Sequence, residues 1–375
     1  MKSLYPRLNY HFNLFWLAAC WWRFGVKAKS FLQDLKAHFS NDLVFPVPSA
    51  RYGVFRALSS LPPRTRVGVQ PFTCPTVFEA IVAAGASIVF VDIDEGLKLS
   101  ETSLRVKKDE IDVLVLTHMF GNVADVSAYR DIIGAQKLII EDCAHAFLSP
   151  NAGLKGDLSV FSFGMAKFPA SFYGGAVVVN NPVFKPCFLN FETLSISQEF
   201  RIWLKSLPMR LLHQPVLYAT IGVSLKKNRK LTYSLLTRFD ASNRISKLSY
   251  SFLNFFFKRK DAYLIRQQSN HTLLCEAIQQ SSYFTLCQQS SSFNGFMVAA
   301  LTDNPDKVLG YFETHGIELG KHFVATYAAL PVFGYKDGEC PVYENINVKL
   351  ITFPCHYLYS GRMINKMASL IVGYK

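Results

Sequence analysis

The chain has 375 residues, half of them apolar and 14% aromatic, enough for one large core and a second, smaller one. No run reaches the ~18 uninterrupted apolar residues of a spanning helix. The eight cysteines show neither a CxxC pair nor metal-ligand spacing, so no metal centre is expected. The net charge of +13 is concentrated: residues 200–260 hold thirteen Lys/Arg against Asp240, residues 1–36 hold six against Asp34, and the remainder is negative by four.

Both basic segments are rich in aromatic residues and leucine. That pairing points to peripheral contact with an anionic membrane through 1–36 and 200–260, rather than to nucleic acid. A solvated basic face, or a wall that attracts an anionic substrate, is the plainer reading. Several cysteines sit among apolar neighbours, as reduced core residues of a cytosolic protein do. Leu17-Ala18-Ala19-Cys20 matches the short pattern before a lipid-modified cysteine. Arg7, Asn9, His11 and Asn13 interrupt the apolar region an export signal needs, so the expected location is cytoplasmic, peripheral on the inner membrane face.

In chain order, residues 10–39 read as helical and strongly aromatic. Pro48-Ser49-Ala50-Arg51 precedes a helix-like segment, and small residues at a helix N-terminus suit a phosphate. Continuous apolar strands at 67–69, 88–94 and 111–118 alternate with helices at 76–84 and 126–133, the pattern of a parallel sheet covered on both faces. Ligands bind beyond the carboxyl ends of such strands, where Cys74, His118 and Asp142 fall. Residues 138–179 then give strand, loop, strand, lysine, glycine turn, strand. Residues 199–262 break the alternation with helical, basic, apolar segments. From 263 a long helix leads to strands at 295–301 and 350–354 and helices at 305–315 and 361–372. The fold class is α/β, a mostly parallel large domain with a smaller C-terminal α+β domain. The expected boundaries are a helical arm over 1–40, a large domain over 41–262 with a basic insert at about 199–240, and a small domain over 263–375.

The acid at the end of one strand and the lysine after another suit a cofactor with a cationic ring nitrogen on one side and an aldehyde on the other. Pyridoxal phosphate is such a cofactor. The spacing is specific: Glu141-Asp142-Cys143-Ala144-His145, Gly156-Asp157, Phe161-Ser162-Phe163, Lys167 and Gly174-Gly175. With these residues the chain resembles the DegT/DnrJ sugar aminotransferases, of type I pyridoxal-phosphate fold. The resemblance runs from about residue 40 to the C-terminus and lapses over 199–240. His118-Met119-Phe120-Gly121, Asn243-Arg244, Gly316-Ile317 with His322, and Phe353-Pro354 resemble further family signatures.

The resemblance implies an aminotransferase that moves an amino group, expected from glutamate, to a keto group of a nucleotide-linked sugar, as a homodimer. It implies that Lys167 forms the Schiff base and moves the proton, and that Asp142 pairs with the ring nitrogen. His145 would lie beside the ring, and Ser162, Ala50 and Arg51 would take the phosphate. Asn243 would reach the other subunit's cofactor, although its motif is offset by one residue. Cys74 stands where a stacking aromatic is common, so that role falls to Phe72 or is weakened. The alternative is a family member that has lost turnover and acts as a membrane-associated scaffold. A sugar dehydratase of the same fold is a third reading, disfavoured because that branch replaces the lysine with histidine.

Overall fold

The computed structural model describes residues 3–6, 14–223, 241–287 and 293–375. The basic cluster 226–230 and the helix expected at 231–236 lie outside these residues. The large sheet has seven strands in the order β1-β7-β6-β5-β4-β2-β3. They are β1 (Val44–Val47), β2 (Arg66–Val69), β3 (Ser87–Phe90), β4 (Val113–Thr117), β5 (Leu138–Asp142), β6 (Leu158–Ser162) and β7 (Gly175–Val179). The pairs from β3 through β6 are parallel, whereas β7 runs antiparallel to both β6 and β1. Pro46 sits in β1, an edge strand, where a missing ladder donor is tolerated.

The strands read as unbroken apolar runs because both faces are covered. Alternate residues serve different helices. Val113 and Val115 pack with α3 (Ala50–Leu58) and α4 (Pro75–Ala83), while Leu114 and Leu116 pack with α5 (Glu101–Lys107) and α6 (Val126–Ile133). The predicted helix over 10–39 is two helices, α1 (Leu14–Ala19) and α2 (Phe24–Phe39), separated at Arg23, whose φ is 52°. The break lets Trp21 turn onto Phe200 and Trp203 of α7 (Ile196–Leu212). The arm is part of the body: Phe31 and Leu35 of α2 share one cluster with Ala176 and Val178 of β7 and with Tyr250 and Leu253 of α8 (Lys247–Phe257).

Two short strands, β8 (Glu192–Thr193) and β9 (Arg244–Ile245), bracket the insert. Glu199 of α7 is buried and accepts from the Ser246 hydroxyl at 2.6 Å and the Leu248 N–H at 3.4 Å, which seats α7 on the start of α8. The long helix α9 (Lys260–Gln279) leads to an antiparallel sheet of β10 (Thr285–Leu286), β11 (Met297–Leu301) and β12 (Leu350–Pro354). Helices α10 (Pro305–Thr314) and α12 (Gly361–Val372) pack there with α9 around Val298, Ile351 and Phe353. Between them in sequence, α11 (Pro341–Lys349) has its first amides capped by Asp92, just past β3: its carboxylate accepts from Val342 at 3.0 Å and Tyr343 at 2.9 Å. The Asp92 acid at a strand end is therefore a brace between distant parts of the chain.

Candidate active site

Strand β5 ends in two adjacent acids, and strand alternation sends them to opposite faces. Glu141 turns inward. It is fully buried and accepts from His118 Nε2 at 2.8 Å, from the amides of Gly153 and Lys155 at 3.0 Å, and from the Gly156 amide at 2.5 Å. His118 Nδ1 accepts from the Ala124 amide at 3.3 Å, so Nε2 carries the proton. Burial alone would raise the Glu141 carboxyl, but His118 and these amides outweigh it and hold it below its ordinary value. His118, Glu141 and Cys143 place their ligand atoms within 4.8 Å of one another. The carboxylate oxygens already accept these bonds, so the cluster is an anchor for the loop 143–156.

Asp142 turns the other way, into a cavity of about 300 Å³ beyond the ends of β5 and β6. Lys167, Asp142, Ser162, Cys74, Ala50 and Arg51 all line it. Six of the eight residues expected at the site thus converge on one space. Its volume is at the lower end for small-molecule sites, about 300–1,000 Å³. Burial raises the Asp142 carboxyl above its ordinary value, against the pull of the Ala144 amide and Lys167. Burial lowers the Lys167 amine, against Cys74 and Asp142. A cation in the cavity would draw Asp142 back toward its ionised form.

The end of the cavity by α3 is built for an anion. Ser49 caps the helix through the Tyr52 amide at 3.3 Å. The first-turn amides of Ala50 and Arg51 have no intrahelical acceptor and meet none elsewhere among the described residues. Gly175 makes the approach possible. A Cβ there would stand 2.3 Å from the Phe161 carbonyl and 3.0 Å from the Ala50 amide. Its neighbour Gly174 has φ of +107° and donates to the Pro48 carbonyl at 3.1 Å.

Two expected residues stand outside the lining. His145 is stacked between Phe120 and Phe296, with centroids 5.8 and 4.7 Å away. Burial, together with Lys167 and His322, pushes its imidazole well below the ordinary range, so it is neutral. Asn243 precedes β9 and does not border this chain's own cavity. Phe72 does not supply the missing ring: it is fully buried against Phe120 and Phe323, because the chain turns inward before Cys74 caps α4. Thr76 and Tyr173 line the cavity without having been singled out from sequence. Thr76 Oγ1 lies 3.1 Å from Cys74 Sγ, on the first turn of α4. Tyr173 is half exposed at the mouth, with its amide on Ser249 Oγ at 3.2 Å. Their signal was position: one opens a helix at a strand end, the other precedes the glycine pair.

A model of the DegT/DnrJ/EryC1/StrS aminotransferase family matches residues 15–371. The chain is 31% identical over 142 residues to GDP-perosamine synthase of Vibrio cholerae, covering 36% of this chain and 39% of that protein. It is 33% identical over 137 residues to dTDP-4-amino-4,6-dideoxy-D-glucose transaminase of Shigella dysenteriae, covering 34% and 37%. These matches thus span under two-fifths of either relative. Among solved structures, the sugar aminotransferase CalS13 of Micromonospora echinospora superposes with a TM-score of 0.76 at 15% identity, covering 99% of this chain and all of that one. E. coli GDP-4-keto-6-deoxy-D-mannose-3-dehydratase superposes with a TM-score of 0.77 at 15% identity, over the same shares. The fold is that of the type I pyridoxal-phosphate enzymes.

The depressed Glu141 carboxyl has a measurable consequence. Its stabilisation is present above the unfolded-state value, about 4.3, and is lost as pH falls through the folded value. Glu141→Gln is expected to cost about 1–3 kcal/mol near neutral pH. Urea denaturation should then show a smaller decline between neutral and acid pH than in the parent; an unchanged decline would contradict the anchor.

Proposed function

The chain belongs to the DegT/DnrJ/EryC1/StrS aminotransferase family, and we propose that it is a pyridoxal-phosphate-dependent aminotransferase acting on a keto group of a nucleotide-linked sugar, with glutamate as donor. The observation that carries this is the convergence of Lys167, Asp142, Ser162 and the α3 N-terminus on one cavity. The group fits: a buried carboxylate and the amine of a half-buried lysine share the space, and unpaired amides mark one end. When bound, pyridoxal phosphate supplies an aldehyde for a primary amine and a ring that accepts an electron pair.

The residues then have distinct tasks. Lys167 Nζ would hold the cofactor and afterwards carry the proton, a task suited to an amine that burial makes easier to deprotonate. The Asp142 carboxylate would accept from the ring N–H in a charge-assisted bond. The Ala50 and Arg51 amides, the Arg51 guanidinium and the Ser162 hydroxyl would hold the phosphate. Arg51 supplies a fixed charge with several donors at a position where many family members have threonine. Tyr173, at the mouth, is placed to meet the sugar nucleotide. Retained Lys167 favours amino transfer over the dehydratase reading, whose branch has histidine there. The diverged-scaffold alternative gains no support, since the lysine and acid are both in the cavity. The proposal includes a homodimer, in which Asn243 would serve the other subunit's site.

We also infer peripheral contact with an anionic membrane through 1–36 and 200–260. No described helix is long and apolar enough to cross a membrane. Phe15 on α1, Trp22 in the turn that follows and Val26 on α2 are nevertheless exposed, Trp22 by 74%. Ile196, Phe200 and Leu204, spaced by four on α7, are exposed as well. Trp203 donates to the Leu17 carbonyl at 2.7 Å, holding the two sets of helices together. Exposed Arg23, Lys29, Arg201 and Lys205 stand among them. Exposed apolar side chains interspersed in sequence with exposed cations suit an interfacial surface.

Two measurements test these readings. Keto-sugar nucleotides supplied with glutamate should yield amino sugars, and Lys167→Ala should lose about 10²–10⁴-fold or more of the rate. A colourless protein that takes up no cofactor would remove the enzyme reading. Co-sedimentation with anionic vesicles should weaken with salt and fall when Trp22 and Phe200 are both changed to Ser; failure to bind at any salt concentration would remove the membrane contact.

A further inference from the structure

Behind Lys167 lies a second, much smaller space. It is a cavity of about 20 Å³ walled by Gln267, Lys167, Phe296, Met297 and the segment 354–357. Gln267 is on α9 and fully buried. Its Nε2 donates to the Asn294 carbonyl at 2.7 Å, which fixes the orientation of the amide. Its Oε1 meets no donor among the described residues. An unmet buried acceptor costs about 1–3 kcal/mol, and native interiors seldom contain one. The cavity has room for a single water, which needs ~10–15 Å³. Lys167 also walls the 300 Å³ cavity, so this residue separates the two spaces.

We propose that Gln267 is a positioning residue for Lys167, acting through one water buried in the small cavity. The inference rests on reading Lys167 as the cofactor lysine. An amine that alternates between bound and free must satisfy its N–H donors when free. On the cofactor side Asp142 is available; at the rear, the water accepts from Nζ and donates to Gln267 Oε1. The water thereby favours the protonated amine and offsets part of the effect of burial. The other titratable groups that face Lys167 are Asp142 from the end of β5, Cys74 at the start of α4 and His145, and, around the small cavity, Cys355, His356 and Tyr357 from the segment after β12.

Gln267 also connects the lysine's rear wall to the loop after β5. Asn294, whose carbonyl it holds, donates from Nδ2 to the His145 carbonyl at 2.7 Å and the Phe147 carbonyl at 2.9 Å. Gly121 leaves space for this carboxamide: its φ is +91°, and a Cβ there would lie 2.1 Å from Asn294 Oδ1. Any variant at Gln267 disturbs this link, so one substitution cannot separate the water from the brace. A pair of variants can.

The test is the pH profile of cofactor attachment to cofactor-free full-length protein, followed by absorbance. Attachment needs the neutral amine, so its rate rises with pH up to the amine's pKa. Gln267→Leu removes the acceptor and should move the profile to lower pH by about one unit, a tenfold faster rate on the acid limb. Gln267→Glu keeps an acceptor, adds a charge and should move it to higher pH. Both variants lose the bond to Asn294, and the charge of Gln267→Glu raises the profile by itself, so the fall in Gln267→Leu is the displacement that a purely structural role would not produce. Displacement in opposite directions supports the proposal; displacement together, or none, overturns it. If the parent protein takes up no cofactor, the functional reading fails and a high-resolution crystal structure decides this inference alone. Density for a water about 2.6–3.2 Å from Gln267 Oε1 supports it; an empty cavity overturns it.

Discussion

The Glu141 carboxylate is the interaction on which the site depends. It is buried between strands and takes one imidazole N–H and three backbone amides from a loop with no regular structure of its own. Without those bonds the loop 143–156 would have to leave its amides dry, at about 1–3 kcal/mol each. With them, the loop is fixed below the sheet and Asp142 is fixed above it. Adjacent acids on one strand thus divide the work. One is spent entirely on structure, and the other is left facing the cavity with its chemistry available.

The same economy explains the glycines and the helix start. Gly175 lets β7 pass against the first turn of α3, which brings helix amides to the rim of the cavity. The Tyr250 hydroxyl reaches the Val47 and Gly175 carbonyls at 2.9 and 2.8 Å, pinning both sides of that approach from α8. The amide donors are therefore held by backbone packing. A phosphate bound there would meet a site whose ordering cost folding has already met.

Much of this was legible in the sequence. Lys167, Asp142 and Ser162 sit on strand ends or the turn after one, and strand ends are readable from continuous apolar runs. Ala50 and Arg51 were readable as a helix start. The rest depended on tertiary packing. His145 has the right spacing, but its ring is drawn between Phe120 and Phe296, and nothing local predicts that stack. Phe72 is two residues from the cavity-lining Cys74 and faces the opposite way. Tyr173 and Thr76 became visible only when two loops distant in sequence met. The break at Arg23 was hidden because the apolar pattern runs through it; the docking of Trp21 on α7 decides it.

The chain thus combines a cavity shared by Lys167 and Asp142 with an aromatic, basic surface formed by α1, α2 and α7. The central claim is the proposed role of Lys167, which shares its cavity with Asp142 and is the lysine lining that cavity among the described residues. Borohydride reduction of the cofactor-loaded protein, followed by peptide mass mapping, tests it most directly. The account predicts a reduced cofactor adduct on the peptide carrying Lys167, absent from peptides carrying exposed lysines and lost in Lys167→Ala. Adducts spread over exposed lysines, or undiminished labelling in Lys167→Ala, would contradict it.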